Sequence, residues 1–324
     1  MHYNSEAQIV RELGKFLENG GLYKGNRPVL WSVVEKTALA DAEVEYQEHK
    51  STTIYAKFPI AKTNLDKLNN HAIVIWTTTP WTIPGNRALA VHNEIKYVSL
   101  NIRRENSNED IIIAEGLVDN FLKENKILES NVNFSLTGNE LLNTSCYHTL
   151  FNSGYDFIVP ILHGDFVTTE QGTGIVHICP VHGMDDFILG KQHNLELPMT
   201  IDEGGIYYEH IPVFAGKHIF KVDPEVCDEI EKCNNLISKG QLIHSYPHSW
   251  RSKAPLVYKN TSQWFISMET NDLRKKALKA INETNFFPQQ GQNRLKKMIE
   301  DRPDWCVSRQ RVWGVPLPIF VNKK

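Results

Sequence analysis

Apolar residues first recur at helical spacing. Ile9, Val10, Leu13, Phe16 and Leu17 stand three and four apart, which predicts one apolar stripe on a helix over residues 4–19. Asn4 or Ser5 can cap it, and Gly20-Gly21 ends it. A turn is expected at residues 24–28, then a short apolar run, Val29, Leu30 and Trp31. Residues 37–46, TALADAEVEY, alternate into a strand. From Glu45 to about Leu100 the period is two: STTIYAKFPI and KYVSLNI alternate as half-buried strands do. Between them, residues 72–76 are continuously apolar and carry the β-branched Ile73, Val74 and Ile75, as a buried strand does. Residues 101–110 are polar and predict a loop. Ile111 to Ile113 predict a short strand, and residues 115–125 a helix with Leu117, Val118, Phe121 and Leu122 on one side. Short strands are expected through Tyr155, at residues 158–162 and at 166–169. A helix is expected at 224–238, capped by Asp223 and ended by Gly240, and others at 271–282 and 294–300. The pattern is α+β, a β-barrel core decorated by short helices, with no internal repeat.

Composition narrows the class. The chain has 324 residues, 41% hydrophobic and 23% charged, an ordinary globular balance with room for two domains. Its longest apolar runs fall far short of the roughly 20 residues a spanning helix needs. The N-terminus MHYNSEAQIVREL lacks a basic region followed by an apolar core, so neither a secretory signal nor a membrane association is expected. Five scattered cysteines, never in CxxC spacing, read as reduced thiols of a cytoplasmic protein. Charge is uneven: residues 250–324 hold 15 Lys and Arg against 6 Asp and Glu, while the first 249 hold 20 against 32. A basic end of this size suits a phosphate backbone, although it also suits a plain solvated face.

Two stretches carry candidate chemistry. After Trp76 the apolar run breaks into Thr77, Thr78 and Thr79, stopped by Pro80; Pro84, Gly85 and Asn86 close the turn. A strand therefore ends in a hydroxyl-lined loop, bracketed by Trp76 and Trp81. The second stretch, GTGIVHICPVHGMDD, spans residues 172–186. Gly172 and Gly174 permit close approach of backbone to a ligand, Ile175 and Val176 predict a strand, and His177 faces core or pocket. Asp185 and Asp186 head an apparent helix, where acids are favourable in any case. No GxSxG elbow is present, and neither Cys146 nor Cys179 sits in a catalytic setting, so a positioned water is the expected nucleophile. His244 and His248 are four apart, but Pro247 between them argues against a helix that would align them on zinc. No P-loop or GxGxxG occurs.

The string WTTTPWTIPGN resembles the threonine-rich signature of the editing domain of the isoleucyl-tRNA synthetases, class I enzymes whose leucyl and valyl relatives usually carry arginine at the place of Thr79. GTGIVHICPVHGMDD resembles the other wall of that pocket. DWCVSRQRVWGVPLP, residues 304–318, resembles the point where the chain returns to the aminoacylation domain. YKGNRPVLWS and ALADAEVEY resemble the connection leaving it; SVVEK at 32–36 stands where some relatives have a cysteine pair, so no metal role is expected there. The motifs occur in the family's order and roughly at its spacing.

The resemblance implies a barrel-rich editing (CP1) domain at residues 46–240. It also implies helical and strand flanks from a Rossmann-type catalytic domain at 1–45 and 241–324. The substrate would be valine esterified to the 3′ end of tRNA(Ile). Asp186 would hold the ammonium. Thr77, Thr78 and Thr79 would bond the ester oxygens, the ribose or a water, with Thr79 excluding isoleucine. Trp81, His177, Gly172 and Gly174 would complete the walls, with no metal and the general base left open. HIGH-like and KMSKS-like signatures are absent, so the chain is expected to be a monomeric fragment that forms no adenylate. ATP and Mg2+ would serve only the full-length synthetase. Two other readings are a tRNA-binding module without catalysis, and a metal-dependent hydrolase using His163, His177, His182 and Asp185.

Overall fold

The computed structural model describes residues 2–104 and 107–322. Among these the strands are β1 (Leu22–Ser32), β2 (Thr37–Ala38), β3 (Val44–Lys62), β4 (Ala72–Thr77), β5 (Ala88–Val91), β6 (Lys96–Arg104), β7 (Ser107–Ala114), β8 (Ser130–Thr137), β9 (Ser145–Tyr147), β10 (Ile158–His163), β11 (Val176–Ile178), β12 (Leu236–Ser249), β13 (Val257–Ile266) and β14 (Trp305–Cys306). The α-helices are α1 (Tyr3–Glu18), α2 (Val118–Glu124), α3 (Gly138–Leu141), α4 (Met184–Gln192), α5 (Ile219–Lys232), α6 (Leu273–Glu283) and α7 (Gln290–Glu300). The fold is α+β, and the chain divides into two units, Tyr46–Pro247 and Met1–Glu45 with His248–Lys324.

The unit 46–247 is built on one large sheet of strand order β11-β5-β10-β9-β3-β4-β7-β6-β8, with β12 pairing β3. β4 lies mid-sheet, antiparallel to β3 and parallel to β7. That position explains its continuous apolar run: Ile73, Val74 and Ile75 are each fully buried. β4 and β11 are five places apart on the hydrogen-bonded path yet in contact, so the sheet rolls round in barrel fashion. One core cluster joins Val74 with Leu100, Ile102, Ile111, Ile113 and Phe121; a second, of Ala88, Ala90, Val167 and Ile178, packs under Leu189 of α4. Each fully buried aliphatic side chain contributes about 1.5–3 kcal/mol, and these clusters hold the ends of β4 and β11 rigid. The other unit has a four-stranded, wholly antiparallel sheet of order β14-β13-β1-β2.

Several expected elements differ. The turn at 24–28 is instead part of β1, which pairs with β13 from Leu22↔Ile266 to Trp31↔Val257. Ten residues of ladder outweigh Gly25 and Pro28, and β2 covers only Trp31 and Ser32, leaving Pro28 on an edge that tolerates it. The polar stretch 101–110 is a β6–β7 hairpin in its described residues, 105 and 106 lying outside them. Ile102, fully buried, ties it to the core. Residues 166–169 form no strand, because the chain turns at Gly164, whose carbonyl accepts the Val167 N–H at 3.2 Å. The helix expected at 224–238 is α5, five residues earlier at its start, capped by the His218 side chain, which accepts the Phe220 N–H. Pro224 lies inside it, and Ile237 belongs to β12 and the first core cluster.

Candidate active site

Thr77 ends β4 opposite Ile54. Beyond it the Thr79 N–H donates to Thr77 Oγ1 at 3.1 Å, which turns the chain off the sheet. Thr79 then opens a 3₁₀ turn, Pro80–Gly85, every residue of which is buried. Thr82 Oγ1 donates to the Thr79 carbonyl at 2.8 Å and lies 2.9 Å from His177 Nε2. With the only proton of Thr82 committed, His177 must carry hydrogen on Nε2 and donate it. Nδ1 then accepts from Asn86 Nδ2 at 3.3 Å, while that same amide nitrogen donates to the Ala88 carbonyl at 2.9 Å. Burial, followed by the nearby His182, lowers the His177 pKa to about 4. His177 is therefore neutral near pH 7, with both nitrogens engaged. Its place is fixed by β11, which pairs antiparallel with β5 at His177↔Leu89.

On the outer side of this network is a cleft of about 260 Å³, bounded by Trp76, Thr77, Thr78, Phe166 and the segment 171–176. Gly172 (φ +76°) lies against Trp76, where a Cβ would stand 3.2 Å from ring and Cβ atoms. Gly174 (φ +68°) packs on Ala114, where a Cβ would come within 2.5 Å. Both glycines thus permit close packing of this loop on β4 and β7. The cleft brings together Thr77, Thr78, Gly172 and Gly174. Thr79, Trp81, His177 and Asp186 are not among its walls. Trp81 and His177 are buried. Thr79 is half-buried behind the cleft, its Oγ1 3.3 Å from that of Thr77 and 3.4 Å from that of Thr82.

Asp186 heads α4, half-buried, with Oδ2 accepting the Cys179 N–H at 2.7 Å. Its carboxyl lies over Gly183, where a Cβ would stand 2.9 Å from Cγ. Burial raises its pKa to about 7 against the lowering effect of its backbone hydrogen bond. Cys179 in turn abuts the threonine turn: a Cβ on Gly85 would meet its Sγ at 2.5 Å. His182 contacts the Trp81 ring edge-on at 4.7 Å and bonds Thr200 Oγ1 at 2.6 Å. The two sequence stretches therefore pack on each other along their length, from Thr82–His177 through Gly85–Cys179 to Trp81–His182.

The three histidines of the metal reading have other partners. His163 pairs with Asp165 at 2.9 Å, His177 with Thr82 and Asn86, and His182 with Thr200. Among the described residues no group of three or more His, Cys, Asp or Glu is placed to hold a metal ion, and no helix is long and apolar enough to cross a membrane. His244 bonds Ser51 on the neighbouring strand. Thr82 and Asn86 belong to the site although sequence reasoning passed over them; both stood inside the threonine motif, at spacings where only the fold reveals their partner.

These two stretches invite comparison with known proteins. The family model for tRNA synthetases class I (I, L, M and V) matches residues 1–324. The chain belongs to this family. Among curated relatives, the isoleucine–tRNA ligase of Pelagibacter ubique (strain HTCC1062) is 54% identical over 100% of this chain and 36% of its own length. Those of Gluconobacter oxydans (strain 621H) and Francisella tularensis subsp. tularensis (strain FSC 198) are 48% and 45% identical, again over 100% of this chain, and 36% and 35% of theirs. The chain thus spans about a third of the length of the curated relatives it matches. The crystal structure of GlLeuRS-CP1 overlaps 58% of this chain and 99% of its own at a TM-score of 0.44 and 16% identity.

Proposed function

We propose that residues 46–240 are the editing domain of an isoleucyl-tRNA synthetase, flanked by pieces of its aminoacylation domain, and that it hydrolyses valine from misacylated tRNA(Ile). A hydrophobic synthetic pocket gains only about 1–3 kcal/mol from one methylene, a limit for which isoleucyl-tRNA synthetase is itself the standard example, so a second, smaller site must remove the valyl product. The observation that carries the reading is the hydrogen-bonded chain from Thr79 through Thr82 to His177, which joins the two motifs across 95 positions.

In this reading water adds to the ester carbonyl, the acyl C–O bond to the ribose breaks, and the ribose oxygen leaves as a hydroxyl while valine departs as its acid. Thr77 and Thr78, at the cleft, bond the ester and ribose oxygens and stabilise the developing oxyanion. Thr79, which backs Thr77 at 3.3 Å, limits the depth of the side-chain space so that isoleucine collides. Asp186, outside the cleft walls, takes the ammonium of a valyl end that extends past them through a charge-assisted hydrogen bond. His177, neutral and engaged at both nitrogens, takes a positioning role, and the proton lost by water reaches the departing ribose oxygen, relayed by a threonine or ribose hydroxyl. The Trp81 ring backs the turn. No step uses ATP or Mg2+, for which the sequence holds neither signature.

Incubation of the chain with valyl-tRNA(Ile) tests the reading. Release of valine that survives a chelator, and is lost in Asp186→Ala, is the expected result. No release would leave a tRNA-binding module, and release abolished by the chelator would mark a metal-dependent hydrolase. Isoleucine-dependent exchange between pyrophosphate and ATP is expected to be absent.

A further inference from the structure

The turn Pro80–Gly85 carries Thr82 and follows Thr79, and all six of its residues are buried. Pro80 and Pro84 lack N–H groups, and at the two ends of the turn the Thr82 N–H donates to Thr79 O and the Asn86 N–H to Ile83 O, each at 2.9 Å. The buried backbone of this turn also takes partners from elsewhere, a carbonyl having room for two. Three distant side chains supply them. Tyr207, nearly fully buried, donates its hydroxyl to the Trp81 carbonyl. Asp223, on the second turn of α5, lies beside the Trp81 N–H and the Thr52 side chain, which oppose the rise that burial gives its pKa. His148, fully buried, accepts the Leu150 N–H on Nδ1 at 3.1 Å, so its Nε2 bears the proton and donates to the Ile83 carbonyl at 3.1 Å.

Resting on the editing reading above, we propose that Tyr207, Asp223 and His148 are positioning residues: they clamp the Trp81 and Ile83 peptide groups of this turn and so set where Thr79 and Thr82 stand for ester hydrolysis. Tyr207 holds the carbonyl of the 81–82 peptide, and Asp223 lies at the Trp81 N–H of the preceding peptide, so the two act on either side of the Trp81 Cα. None of the three lines the cleft, so each works through the turn. Desolvation keeps His148 uncharged, its pKa lowered to about 3, and keeps the Tyr207 phenol protonated; both hold the donor state that the clamp uses.

The test uses Tyr207→Phe, Asp223→Ala and Asp223→Asn in the full chain. Tyr207→Phe removes only the hydroxyl and keeps the ring against Phe214, 6.0 Å away, so it folds. Three readouts are taken: kcat and KM for valyl-tRNA(Ile), cleavage of isoleucyl-tRNA(Ile), and amide hydrogen exchange over residues 79–86. Tyr207→Phe and Asp223→Ala are expected to lower kcat about tenfold with KM within about twofold. Exchange over 79–86 accelerates while β6 and β7 stay protected. Asp223→Asn keeps an acceptor and recovers most of the rate. Wild-type kcat in both loss variants, or an Asn variant no better than Ala, would overturn the proposal. If the unmutated chain releases no valine, the editing reading fails, and exchange alone decides the clamp: unchanged exchange in Tyr207→Phe refutes it.

Discussion

Asp186→Asn separates what the carboxylate costs the fold from what it does for the site. The unfolded carboxyl titrates near 3.8, whereas burial at the head of α4 raises it to about 7. Between those values the native chain binds the extra proton, so raising the pH removes stability, and above about pH 7 the full cost of a buried charge is present. That cost is about 4 kcal/mol. An asparagine keeps an oxygen for the Cys179 N–H and cannot ionise. The variant should therefore gain on the wild type by roughly 2–3 kcal/mol between pH 5 and pH 8, a urea midpoint shift on the order of 1 M. Absolute stability also varies with His148 and His177. Burial depresses both pKa values, so their contribution is present above pH 6.5 and is lost as the pH falls. Taking the difference between variant and wild type cancels them, and likewise Asp223, raised to about 6. The assay is urea unfolding of both proteins at pH 5, 6, 7 and 8. Parallel curves, with no widening gap as the pH rises, would refute a desolvated carboxyl at 186. The same variant should fail to release valine, because its amide offers the ammonium no charge.

Thr79→Ala is expected to cleave isoleucyl-tRNA(Ile) as well as the valyl form; continued sparing of isoleucine would refute the steric role. Gly172→Ala forces φ +76° on a residue with a Cβ and sets that atom 3.2 Å from Trp76, which should cost about 1–3 kcal/mol, read as a lowered Tm. His177→Gln can still donate to Thr82 and should retain more deacylation than His177→Ala; equal losses would show that the Nε2–H bond is irrelevant. Since His177 titrates near 4, no inflection of the rate between pH 5 and 8 should vanish in His177→Gln.

Local pattern carried much of the architecture. The stripe of Ile9, Leu13 and Phe16 becomes α1, the apolar run before the threonines becomes the mid-sheet strand β4, and Asp185-Asp186 stand in the first turn of α4. These features answer to neighbours within a few residues. Where the partner is distant, pattern misled: Pro28 and Gly25 look like a turn until β13 pairs with them, and the polar 101–110 looks like a loop until Ile102 enters the core. The start of α5 was missed because its cap is a histidine, His218, rather than a short polar residue, and because Pro224 is accepted inside it.

The candidate site divides in the same way. By itself the sequence determined which groups are available: three hydroxyls at a strand end, a histidine after two aliphatics, a carboxyl at a helix head, and the family that carries them. Only the tertiary structure decided what those groups can do. The proton position on His177 follows from Thr82 and Asn86, 95 and 91 positions away, and the elevated pKa of Asp186 follows from burial. Both depend on distance and solvent exclusion, which a linear order of residues does not contain.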